Sequence, residues 1–112
     1  MNEHIESEIR THCYMIERGC KPASCMPIQN RYVGMTIDIC RSYNVKNYLE
    51  KLTDGWMTVW FYKYEHMLDI IRNVPDKPET AYDHWVLGKL FGYDEESIGE
   101  FILKQQQGDK LK

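Results

Sequence analysis

One stretch of nine residues constrains the fold more than any other. Trp56 to Tyr64 is apolar on both sides of an extended chain: Trp56, Thr58, Trp60 and Tyr62 point one way, and Met57, Val59, Phe61 and Lys63 the other. Side chains alternate across a strand, so both faces of this one need cover. It must therefore run through the middle of a sheet, with helices above and below. Val45 to Leu52 precedes it across Thr53-Asp54-Gly55, and Asp-Gly is a favoured tight-turn pair, so the two segments read as a hairpin.

The remaining elements follow from periodicity and punctuation. A first helix is expected over about residues 3–18, with Asn2 as N-cap, Glu3 and Glu6 in the first turn, and Gly19 after the end. Ile5, Ile9, Cys13 and Ile16 draw its apolar stripe. Pro22 closes it, and Ala23 to Ile28 reads as a short strand placed at an edge by Pro27. A second helix runs over about Arg31 to Tyr43, capped by Asn30 and facing inward through Val33, Ile37 and Cys40. After the hairpin, a third helix starts near Tyr64 or Glu65 with Met67, Ile70, Ile71 and Val74 as its stripe. A fourth runs from the cap Thr80 to Phe91 and ends at Gly92; a fifth runs from the cap Asp94 to Leu103.

The order α-β-α-β-β-α-α-α implies an α+β fold. A small three-stranded, mostly antiparallel sheet packs with about five helices. If the third strand lies between the first two, it is antiparallel to both. Helices one and two then cover one face, and helices three to five the other face or one end. The 112 residues make one core, so a single domain is expected over 1–104, with a flexible polar tail over 105–112.

Composition narrows the functional classes. The formal net charge is −3 with scattered Lys and Arg and no run of five or more like charges, which argues against a general nucleic-acid binder. No apolar run reaches a membrane span, and the N-terminus lacks the basic and apolar regions of a signal peptide. A cytoplasmic setting is expected, with the four cysteines as thiols.

Those cysteines raise a thiol or zinc enzyme. Cys13, Cys20, Cys25 and Cys40 are separated by six, four and fourteen residues, far from paired zinc knuckles. Cys13 and Cys40 fall on apolar helix faces. That leaves Cys20, Cys25 and His12 as candidate metal ligands, and Cys25 as a candidate nucleophile with His66 or His84 as base. The expectation is no metal, no cofactor and no catalytic residue. A phosphate loop, a nucleophile elbow, a zinc-protease helix and a calcium loop are all missing from the sequence.

The aromatic residues point elsewhere. The chain has eight Tyr, three Trp and three Phe, and most lie between positions 56 and 93. So small an interior cannot enclose them all, and exposed Tyr and Trp are typical anchors of binding surfaces. Tyr62, Tyr64, Tyr82, Trp85 and Tyr93, flanked by Glu65 and Asp83, are the expected partner-binding set. Self-association into a homodimer through the same surface is expected as well. A small-ligand reading is the alternative, with the aromatics and Arg31, Arg41 or Arg72 stacking a nucleotide base.

The run Asp83-His84-Trp85-Val86-Leu87-Gly88-Lys89-Leu90-Phe91-Gly92-Tyr93-Asp94-Glu95-Glu96-Ser97-Ile98, with Trp56 to Met67 ahead of it, resembles segments of short uncharacterised proteins from Gram-positive bacteria and their phages. The resemblance covers the C-terminal half and carries no active-site residues. It implies a small acidic protein that binds a host protein, in the manner of phage-encoded inhibitors of host defence systems.

Overall fold

The computed structural model describes residues 3–110, and the side chains of residues 3–107. The elements are α1 (Glu3–Glu17), β1 (Ala23–Gln29), a 3-10 turn (Asn30–Tyr32), α2 (Val33–Ser42), β2 (Lys46–Thr53), β3 (Trp56–Tyr62), α3 (Met67–Arg72), α4 (Ala81–Leu90) and α5 (Glu95–Lys110). The expected cap Asn2 lies outside the described residues.

β3 is the central strand of the sheet β1-β3-β2 and runs antiparallel to both neighbours. Its two apolar faces receive two separate cores. On the first face, Val59 and Phe61 meet Ile9, Cys13 and Ile16 of α1, Ile39 and Cys40 of α2, and Met26 and Ile28 of β1. On the second, Trp60 and Tyr62 meet Met67 and Ile71 of α3 and Leu90 of α4, with Phe91 packed alongside. β1 and β2 flank β3 and are parallel to each other, so α2 is the crossover between them. Pro27 is exposed on β1, an edge strand, where its missing N–H removes nothing from the ladder.

The expected punctuation acts at several ends. Gly19, Gly55 and Gly92 adopt positive φ, and Asn44 closes α2 at φ 57°. Thr80 and Asp83 form a reciprocal capping box at the start of α4. Asp94 caps α5 by accepting from the Ser97 N–H at 2.7 Å.

Several expectations are corrected. Asn30 does not cap α2: it opens the 3-10 turn, and its N–H donates to the Gly55 carbonyl at 2.9 Å, tying this loop to the hairpin tip. The inner face of α2 is Thr36, Ile39 and Cys40; Ile37 is only half-buried, because the 3-10 turn resets the helical phase. α3 begins at Met67 rather than Tyr64, and Ile70 is exposed on so short a helix. α5 continues through Lys104 to Lys110, past the expected end at Leu103. Lys and Gln are good helix formers, so nothing in Lys104-Gln105-Gln106-Gln107 stops it. No described helix is long and apolar enough to cross a membrane.

Candidate functional site

The rings that escape the two cores gather on the α4–α5 hairpin. Glycine sets its geometry. A Cβ on Gly88 would stand 2.6 Å from Cγ1 of Ile98, so the two helices meet there at backbone distance. At the turn, Gly92 combines φ +85° with a close approach to Lys21, where a Cβ would meet the Lys21 Cβ at 2.7 Å. This contact seats the hairpin against the α1–β1 loop. Glu95 bridges back to α4: it accepts from Trp85 Nε1 at 3.1 Å and pairs with Lys89 Nζ at 2.8 Å. Both contacts hold the Glu95 carboxyl below its usual range, the Lys89 bond foremost.

Between the helices lies a groove of about 450 Å³, lined mainly by His84, Leu87, Phe91, Tyr93, Ile98 and Phe101. His84 meets Phe101 edge to face, with ring centroids 5.2 Å apart. Around it, Tyr82 is 73% exposed, Tyr93 62%, Phe101 49% and Trp85 42%. Tyr93 and Phe101 line this apolar depression, which has few polar groups inside it, whereas Tyr82 and Trp85 stand exposed elsewhere on α4.

The rim is acidic. Between Asp76 and Lys104 there are seven carboxylates and three lysines, so this segment carries more negative charge than the whole chain's −3. The remainder of the molecule is close to neutral.

The expected partner-binding residues divide three ways. Tyr82, Trp85 and Tyr93 lie on the hairpin surface. Tyr62 does not belong to it: its position on β3 puts it in the second core, where it is buried. Tyr64 and Glu65 stand at the corner between β3 and α3, with Tyr64 stacked on His66 and Glu65 paired with Lys46 at 3.4 Å. Asp83 is committed to the cap. Its carboxylate accepts from the Glu79 and Thr80 N–H groups at 3.1 and 3.3 Å, which lowers its pKa. Phe101 lines the groove but is not among the residues expected from the sequence to bind a partner. Its place after Ile98 at i+3 was visible, but only the Gly88 contact fixes which of the two faces α4.

The thiols do not converge. Cys13 and Cys40 are buried together on the first face, sulfurs 3.7 Å apart, and burial with the Cys13 contact pushes the Cys40 thiol far up. Cys25 pairs with Trp60 and so faces the second core, while Cys20 is exposed in the α1–β1 loop. His12 lies over the first face, hydrogen-bonded to Ser24 at 2.8 Å and stacked on Phe61. Because Ser24 and Cys25 alternate on β1, His12 and Cys25 stand on opposite sides of the sheet. Burial, then the Glu50 charge, raises the Cys25 thiol, the reverse of nucleophile activation. Among the described residues no three His, Cys, Asp or Glu side chains are grouped to hold a metal ion.

The Ser24–His12 pair has the contact of a hydrolase dyad and went unnoticed in the sequence, since twelve residues and a change of element separate its members. Ser24 is 2% exposed, and none of the larger cavities reaches it, so the bond joins α1 to β1 instead of activating a nucleophile. No protein-family model matches the chain, and no curated protein matches it.

Proposed function

We propose that this chain is a non-catalytic interaction protein that binds and modulates a protein partner through the α4–α5 groove. One observation carries the reading: an apolar groove between α4 and α5 is lined by the exposed rings Tyr93 and Phe101, on a hairpin that also leaves Tyr82 and Trp85 in solvent. Such rings lower the free energy only when a partner covers them. The acidic rim selects the partner's chemistry. It fits an amphipathic helix with apolar anchors at i, i+3/i+4 and i+7 flanked by Lys or Arg. On the resemblance to short phage and bacterial proteins, that helix would belong to a host protein, and binding would inhibit it.

The test uses labelled helical peptides. A Leu/Lys amphipathic peptide should bind, whereas its Leu/Glu counterpart and a permutation without an apolar stripe should not. Phe101→Glu should weaken binding at least ten-fold. Equal binding of the acidic peptide, or binding unaffected by Phe101→Glu, would overturn the reading. A dimer in light scattering that Phe101→Glu dissociates would assign the groove to a second copy of the chain instead.

A further inference from the structure

The second face of the sheet carries another cavity, of about 340 Å³, between the strands and the helices above them. The strand register defines its floor. Cys25 and Tyr48 lie directly opposite Trp60 on either side of it, and Glu50 lies directly opposite Thr58. One wall is Glu50 on β2. The facing wall is Ile71 and Arg72 of α3 with the segment Val74 to Asp76, and Leu87 and Phe91 of α4 close the top. Phe91 stacks on Trp60 with centroids 5.8 Å apart. The interior is therefore ringed by apolar groups, with charge at opposite edges.

The charges are the informative part. Glu50 is half-buried and Arg72 lines the same cleft, yet no ion pair joins them and no other cation or carboxylate pairs with either among the described residues. Arg72 instead lays its guanidinium over the Tyr48 ring, 5.4 Å from the centroid, which leaves its N–H edges open. Lys51, the next residue on β2, also borders the cleft, but its ammonium pairs with Asp54 at 3.8 Å and not with Glu50. A half-buried carboxylate left unpaired is costly, and a charged donor supplied by a ligand would offset that cost.

We infer that this cleft binds a free amino acid with a large apolar or aromatic side chain, its ammonium held by Glu50, its carboxylate by Arg72, and its side chain lying against Trp60 and Phe91. A zwitterion carries both charges on one carbon and fits a gap between two opposite charges that do not meet. A nucleotide does not fit as well: its phosphate would add net negative charge beside Glu50 and Asp76, whereas a zwitterion is neutral and brings an ammonium to them. The volume falls within the range of small-ligand pockets. The cleft shares Leu87 and Phe91 with the α4–α5 groove, but Glu50, Arg72 and Trp60 belong to it alone, so the inference does not rest on the proposed partner binding.

The experiment is a thermal-shift and Trp-fluorescence titration of the full chain with the twenty amino acids. Phenylalanine is set beside phenethylamine, which lacks the carboxylate, and 3-phenylpropionate, which lacks the ammonium. A large apolar amino acid at ten times its dissociation constant should raise the midpoint by about 5 °C or more. Neither truncated analogue should match it, and Glu50→Gln and Arg72→Gln should each abolish the shift. Both are surface changes that leave the fold intact, as circular dichroism would verify. The bound amino acid should also slow alkylation of Cys25 several-fold while exposed Cys20 reacts at its former rate. No shift with any amino acid, an equal shift with the amine or acid alone, or a shift retained in both variants would overturn the inference.

Discussion

The two faces of β3 are covered by different means. On the first, α1 and α2 close over Val59 and Phe61, and the buried residues of that layer have no more than a few per cent of their surface exposed. On the second, a six-residue helix and the end of α4 cover Trp60 and Tyr62, and the rest of the α4–α5 hairpin extends past the sheet. The same strand thus joins a finished core to an unfinished one. Apolar burial drives folding in both, but most of the large exposed rings, Tyr64, Tyr82, Trp85, Tyr93 and Phe101, follow β3 on the second side. Stability and recognition are therefore separated across one strand.

Substituting one residue type on the two sides measures that separation. Phe61→Ala, in the closed layer, should cost about 3–5 kcal/mol in denaturant unfolding. A loss of under about 1 kcal/mol would mean that the first layer is not closed. A smaller effect comes from pH. Burial, and then repulsion from Lys21, holds His12 below its ordinary value of 6.5. Its unfolded form binds a proton more readily, so its contribution is complete above about pH 6.5 and declines as the pH falls toward the lowered folded value. Acidification from pH 7 to 5 should destabilise the wild type more than His12→Gln; equal losses would remove His12 from the account. The smallest effect belongs to the open side: Phe101→Ala should change stability by no more than about 0.5 kcal/mol while abolishing peptide binding.

Much of the fold was legible from local rules. The two-faced pattern of Trp56–Tyr62 pointed to the central strand and the sheet order, Thr80 marked the start of α4, and Gly92 and Asp94 marked the α4–α5 turn. What depended on contacts distant in sequence was hidden. Tyr62 and Tyr64 have the same residue type and parity on the strand, yet the chain leaves β3 after Tyr62, so one is core and the other is exposed. The aromatic surplus was visible in the sequence; that it would collect beside Phe101 required the Gly88–Ile98 approach. Cys25, Glu50 and Arg72 come from three elements, and no spacing in the sequence could bring them to one cleft.

The central place of β3 also dictates the order in which the sheet can assemble. Its pairing with β2 closes a loop of two residues at Asp54-Gly55, whereas its pairing with β1 must bring together segments about thirty residues apart, and only the Asn30–Gly55 bond anchors that longer loop. Loop closure costs more entropy as the chain between partners lengthens. The shorter loop favours the hairpin as the earlier pairing, an order that φ-values at Thr53–Trp56 and at the β1 edge would test. Weakening the hairpin slows the approach to the native state, while weakening the β1 edge speeds the departure from it.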